Sequence, residues 1–191
     1  MLDSGGANLG SVRAAFARLG VDAPVSSDWN TIRAASHLVL PGVGAAATAM
    51  AKLRSNGLAE LIPKLGQPLI GICIGMQLLF ERSEENDTEC LGLLPGSVAK
   101  LPASPGIRIP HMGWNRLDVQ VEHPLVAGLD QQWVYFVHSY GAPMSGLTLA
   151  SCTHGKPFAA VVARDRVMGA QFHPERSSAA GARLLQNFLA L

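Results

Sequence analysis

Cys73 stands between two glycines at the end of an apolar run, Pro68-Leu69-Ile70-Gly71-Ile72-Cys73-Ile74-Gly75-Met76-Gln77. A strand that turns sharply into a helix at such a point forms a nucleophile elbow and lifts its central side chain out of the sheet. The flanking glycines remove Cβ atoms that would collide in so tight a turn. The positive end of the following helix favours the thiolate, which is the nucleophilic form. The chemistry on offer is attack by sulfur on an electrophilic carbon.

A cysteine nucleophile needs a base, and the base needs an orienter. Gln171-Phe172-His173-Pro174-Glu175-Arg176-Ser177 offers both. Pro174 biases His173 toward an extended conformation, in which positions two apart project to the same side. Glu175 is therefore expected to hold one imidazole nitrogen of His173 and leave the other for Cys73. Pro41-Gly42-Val43-Gly44, between a predicted strand and a predicted helix, is the candidate oxyanion loop. Its glycines let backbone N–H groups turn toward a developing anion. Ile74, directly after the nucleophile, adds another N–H.

Each fragment alone has a plainer reading. Gly-x-Cys-x-Gly is more often a tight turn around a buried, inert thiol. His-Pro-Glu is usually a surface turn, and Pro-Gly-Val-Gly usually only a turn. Their joint appearance at predicted strand ends of an α/β chain, where ligands bind, favours a site. His37, His111, His123, His138 and His154 lack metal-ligand spacing, so neither a metal nor another cofactor is expected. Cys90 and Cys152 lack a glycine frame and read as structural. Asp3-Ser4-Gly5-Gly6 resembles a phosphate loop only loosely and is discounted.

The elements that must position these groups follow from the pattern. A helix is expected over 8–19 with Gly20 at its end, a strand over 21–26, and a helix to Ala35 capped by Asp28. The strand 37–40 is expected to stop at Pro41-Gly42. An Ala-rich helix over 45–56, a strand over 69–72 and a helix over 75–82 follow. This alternation implies right-handed βαβ units and a parallel sheet. The second half reads as β-rich over 107–121 and 133–140. The strands 158–164 and 167–172 flank a turn at Asp165-Arg166. Leu184, Leu185, Phe188 and Leu189 predict a closing amphipathic helix. The segment 83–89 reads as a surface loop. Met1-Leu2-Asp3 is too short for the strand expected before the first helix, so that strand is cut down or the natural start lies upstream. The fold class is α/β: an open, mostly parallel sheet with helices on both faces, in a single domain over 1–191.

The chain has 191 residues, is 48% apolar and 15% charged, and carries a formal net charge of +1. That is a compact globular composition with no basic run for nucleic acid. No apolar stretch is long enough for a membrane span, and no signal-peptide pattern opens the chain. Three cysteines without CxxC spacing fit a reducing, cytoplasmic setting better than a disulfide framework.

The motifs around Gly42, Cys73 and His173 together resemble the class I (triad) glutamine amidotransferases, with their flavodoxin-like sheet. Pro110-His111-Met112-Gly113-Trp114-Asn115 and Tyr135-Phe136-Val137-His138-Ser139-Tyr140 are similar to stretches of the glutaminase subunits of imidazole glycerol phosphate synthase, an enzyme of histidine biosynthesis. The resemblance covers nearly the whole chain. It implies hydrolysis of L-glutamine to glutamate and ammonia through a Cys73 thioester. The ammonia would pass through a tunnel to a (β/α)₈ cyclase subunit in a heterodimer, which makes imidazole glycerol phosphate and aminoimidazole carboxamide ribotide. By this resemblance Cys73, His173 and Glu175 form the triad, and Gly42, Val43, Gly44 and Ile74 bind the oxyanion. Gln77, His138 and Ser139 hold glutamine, and Met112, Trp114, Asn115 and Tyr135 face the cyclase. Loss of one oxyanion donor costs about 10²–10³ in turnover, so a loop that presents its N–H only in the complex would hold the free subunit nearly silent. Where the family carries an aromatic residue after the oxyanion glycines, this sequence runs Gly44-Ala45-Ala46, which predicts looser packing there. Two other readings compete: a subunit serving anthranilate or pyridoxal phosphate formation, and a non-catalytic regulatory module. The stretch 110–115 argues against the first, and the intact Cys73, His173 and Glu175 against the second.

Overall fold

The computed structural model describes residues 1–6 and 8–191. Its helices are α1 (Leu9–Ala17), α2 (Trp29–Ala34), α3 (Ala46–Ser55), α4 (Leu58–Leu61), α5 (Ile74–Gln77) and α6 (Ser178–Leu189). Its strands are β1 (Leu38–Gly42), β2 (Leu69–Cys73), β3 (Arg82–Ser83), β4 (Thr88–Glu89), β5 (Ser97–Lys100), β6 (His111–Arg116), β7 (Asp118–Val119), β8 (Trp133–His138), β9 (Tyr140–Gly141), β10 (Thr148–His154), β11 (Lys156–Arg164) and β12 (Val167–Ala170).

The main sheet runs β1-β2-β12-β11-β10-β7. It is parallel across β1, β2 and β12 and antiparallel from β12 outward, so the expected parallel sheet is confined to the side that carries Cys73. Every residue of β1, β2 and β12 is buried, as suits strands covered on both faces. A four-stranded sheet, β4-β3-β5-β9, and a two-stranded one, β6-β8, complete the β-rich part. α1, α2 and α6 gather beside β1 around Phe16, Ile32 and Phe188. α6 buries Ala180, Gly181, Leu184, Leu185 and Phe188, the one-sided spacing of an amphipathic helix. No helix among the described residues is long and apolar enough to cross a membrane.

Several expectations about elements need correction. The segment 21–26 forms only an isolated bridge, Leu2 to Ser26, with Ser26 N donating to Met1 O and Asp3 N to Ser26 O. β1 runs through Pro41-Gly42 instead of stopping, since an edge position tolerates a residue without an N–H. The helix after Cys73 is only one turn long. The carbonyls of Leu78, Leu79 and Phe80 accept instead from the N–H groups of residues 91–94, which ends the helix ladder. The segment 83–89 is not a free loop: it holds β3, β4 and a 3₁₀ turn between them. The Asp28 cap, accepting from Thr31 N, and the two-residue turn at Asp165-Arg166, closed by the Arg164–Val167 pair, form as predicted.

Candidate active site

Cys73 sits at the C-terminal end of β2 with φ 54° and ψ −113°, a conformation that β-carbon residues rarely adopt. Close packing enforces it. A Cβ on Gly75 would lie 1.8 Å from Leu40 O, and one on Gly71 2.5 Å from Gly75 O. Glycine at both flanks therefore lets the turn fold back onto β1 and β2. Because α5 is a single turn, no long helix dipole stands behind the sulfur.

His173 lies beyond the C-terminal end of β12. Its Nδ1 donates to Glu175 Oε1 at 2.8 Å. Pro174 leaves His173 extended, φ −96° and ψ 98°, as expected. The route by which Glu175 reaches it is different: a 3₁₀ turn over Pro174–Arg176 curls Glu175 back, where the sequence pointed to an extended chain. α6 packs directly on this turn because residue 181 is glycine; a Cβ there would lie 1.9 Å from Pro174 O. β8 locks the other side, with His173 N donating to Tyr135 O and Tyr135 N donating to Ser177 Oγ.

His173 Nε2 is buried without a hydrogen-bond partner, and His173 shares a cleft of about 290 Å³ with Cys73. Burial opposes charge on this imidazole, but the nearby Cys73 sulfur and the Glu175 carboxylate outweigh it and raise its pKa to about 10. Burial likewise opposes charge on Glu175, yet His173 and Asn8 hold its carboxyl below the usual range. Burial pushes Cys90 up to about 11 and Cys152 up to about 12, and all three cysteines are free.

The candidate oxyanion loop borders the same cleft through Val43 and Gly44, and Ile74 lines it from the elbow. Gly42 is pressed against the elbow: a Cβ there would lie 2.9 Å from Gly75 N. Gly44 has φ 92°, and nothing stands within 4 Å of the position its Cβ would take. Ala46 is fully buried, and its N–H donates to Glu85 Oε2 at 2.7 Å.

Gln77, His138 and Ser139 all line the cleft. Gln77 Nε2 donates to Tyr140 O at 2.7 Å and to Gln171 Oε1 at 3.0 Å, while its Oε1 is buried and unpartnered. Both nitrogens of His138 are engaged internally, Nδ1 with Tyr140 O at 2.8 Å and Nε2 with His111 Nδ1 at 3.1 Å. His138 therefore shapes the wall, and backbone and Ser139 supply the free polar groups of that segment. The partners fix the tautomers, since Tyr140 O only accepts: His138 carries its proton on Nδ1, and His111 donates to it. Burial, with repulsion among the histidines, holds His111 down at about 3, and burial foremost holds His138 down at about 4.

Met112, Trp114 and Tyr135 lie together on the outer face of β6-β8, with Met112 64% and Trp114 50% exposed. Asn115 separates from them: its side chain turns inward, donating to Thr153 O at 2.9 Å and approaching His111 Nε2 at 3.4 Å. Two residues of the site carried no signal in sequence. Glu85, read there as surface loop, lines the same cleft as Cys73. Asn8, read as part of a helix start, donates to Glu175 Oε1 at 2.6 Å and makes no capping bond to its own helix. No group of three or more metal-binding side chains occurs among the described residues.

Comparison with known proteins agrees with this architecture. The profile of the family "Glutamine amidotransferase class-I" matches residues 1–191. Imidazole glycerol phosphate synthase subunit HisH of Xanthomonas euvesicatoria pv. vesicatoria is 57% identical over 190 residues, 99% of this chain and 95% of that protein. The subunit of that name from Xylella fastidiosa (strain 9a5c) is 53% identical with the same coverage. Among solved structures, a glutamine amidotransferase from Thermotoga maritima superposes with a TM-score of 0.61 at 18% identity, over 94% of this chain and 76% of that one; it supports the fold alone. The chain belongs to the class I glutamine amidotransferase family, in the group of imidazole glycerol phosphate synthase HisH subunits.

Proposed function

We propose that this chain, a single catalytic domain, hydrolyses L-glutamine to glutamate and ammonia at Cys73, and that the ammonia feeds imidazole glycerol phosphate synthesis on a cyclase partner. The observation that carries the reading is His173, held by Glu175 at 2.8 Å, in one cleft with a cysteine on a strained elbow.

The Cys73 thiolate adds to the side-chain carbonyl carbon of glutamine, and the carbonyl oxygen becomes an oxyanion. Backbone N–H groups of Ile74 and of the loop Gly42-Val43-Gly44 are the donors proposed for that charge. His173 gives its proton to the departing nitrogen, and ammonia leaves a thioester on Cys73. Neutral His173 then takes a proton from water, hydroxide displaces the sulfur, and glutamate is released. Glu175 holds the ring on Nδ1 throughout. Glu85 and the unpartnered Gln77 Oε1 suit the α-ammonium of glutamine, one by charge and the other as acceptor. The free polar groups at Ser139 suit its carboxylate. The apolar outer face of β6-β8 suits the cyclase, because its inner face and Tyr135 contact the triad turn directly. Three free cysteines fit a cytoplasmic setting.

Cys73→Ala tests the reading. With the cyclase and its nucleotide substrate present, the variant is expected to lose glutamine-dependent synthesis and keep synthesis from added ammonium. Survival of glutamine-dependent turnover would overturn it.

A further inference from the structure

The Cys73 sulfur has two polar neighbours. Its own S–H points at Val137 O, 4.0 Å away, and Gln171 Nε2 donates to it at 3.8 Å. The first contact suits a thiol and the second a thiolate, since an N–H can only donate.

We propose that Gln171 is a further working residue of the site, a fixed amide donor that stabilises the Cys73 thiolate and aims the sulfur into the cleft. The proposal rests on the reading of Cys73 as nucleophile. Gln171 is fully buried, so its side chain has no water to bond in place of the sulfur. Its orientation follows from a neighbour that cannot be reversed. Tyr140 O, a backbone carbonyl, only accepts, so the Gln77 atom 2.7 Å from it must be Nε2. The same Nε2 gives its second hydrogen to Gln171, which must present Oε1 there, 3.0 Å away. That leaves Gln171 Nε2 turned to the sulfur. The amide is thus aimed by a chain of bonds that ends on main chain, before any substrate arrives. Donors fixed in advance cost no reorganisation when charge develops. The donor also serves the second half of the reaction, when the sulfur leaves the thioester as an anion again.

The imidazolium of His173 also supports the sulfur's charge. Gln171 differs from it in keeping its hydrogens when His173 has delivered its proton to ammonia. A donor that never titrates holds the leaving thiolate while the imidazole is neutral and acting as base.

The test is alkylation of the full chain with iodoacetamide across pH, mapped to Cys73 by peptide mass spectrometry. In Gln171→Met, which removes the donor at similar size, Cys73 is expected to react about tenfold more slowly at pH 7, with its pH profile displaced by about one unit to alkaline. An unchanged profile in the folded variant would overturn the proposal. A second measurement needs no substitution. In the unaltered chain labelled with ¹⁵N-glutamine, the Gln171 side-chain amide resonances are expected to titrate with the midpoint of Cys73 alkylation; resonances that stay fixed reject the contact. A chain in which Cys73 reacts no faster than Cys152, and Cys73→Ala still turns over glutamine, would sink the nucleophile reading itself and this inference with it.

Discussion

Asn8 and Glu175, 167 residues apart in the chain, meet at 2.6 Å, and the carboxylate oxygen that accepts from Asn8 is the one that orients His173. An asparagine at a helix start ordinarily bonds back to its own first turn. Here the side chain is diverted to the orienter of the base. Asn8→Ala is expected to lower kcat for glutamine about tenfold, as loss of a bond to a charged group does, and to leave ammonium-dependent synthesis intact. The acid limb of the pH–rate profile should move to higher pH, because Glu175 loses a donor that holds its proton off.

Glu85→Gln tests the other residue that sequence did not reveal. Loss of a charge-assisted contact to the substrate α-ammonium is expected to raise KM for glutamine by about 10- to 100-fold with a smaller change in kcat. The bond from Ala46 N survives in an amide acceptor, so the melting temperature should move little. Equal effects on KM and kcat would place Glu85 elsewhere in the cycle.

Trp114→Ala addresses the outer face of β6-β8. The ring is half exposed and meets Tyr135 edge-on at a centroid distance of 6.0 Å, so its removal spares the core. A buried aromatic anchor at an interface is worth about 2 kcal/mol or more, and a loss of about 30-fold in cyclase affinity is expected by titration calorimetry. Thermal unfolding of the isolated chain should be nearly unchanged.

Acid should destabilise the fold through the buried histidines. His111 and His138 are held near 3 and 4, against about 6.5 in an unfolded chain. Below about pH 6.5 the unfolded chain binds protons that the native rings refuse, so stability present above that pH is lost as pH falls toward 4. Each ring contributes a slope of up to about 1.4 kcal/mol per pH unit in that window. His173 has the opposite sign: its stabilisation is full below 6.5 and fades as pH rises toward 10. His111 faces His138, His154 and Asn115, and His138 faces Tyr140 O and His173. Urea unfolding at pH 7, 6, 5 and 4 measures the slope, and His111→Asn should flatten it by about one ring's share.

The residues that carry local signals were legible in the sequence. Cys73 announced itself through its glycines, His173 and Glu175 through the proline between them, and Asp165 through its place between two apolar runs. What escaped depends on contacts that close over long separations. The helix after Cys73 stops at Gln77 because residues 91–94 take its carbonyls, and nothing in 75–82 records that. Glu85 looked solvated because its loop is polar; the β3-β4 pairing carries it over the cleft. Asn8 reads only as the start of a helix, since its partner lies near the other end of the chain. Pro41 read as a strand stop because a single sequence does not tell an edge strand from a central one.

The close approach of Gly75 to Leu40 has a mechanical consequence. With no atom between the elbow and the main chain of β1, the two strands are mortised, and Gly42 is seated against Gly75 N in the same joint. Neither strand can slide without driving backbone into backbone. The start of the candidate oxyanion loop is held at Gly42, and positive φ and open space begin only at Gly44. Freedom to turn a donor toward the cleft is therefore concentrated at Gly44, on a mount fixed by the packed glycines of β1 and the elbow.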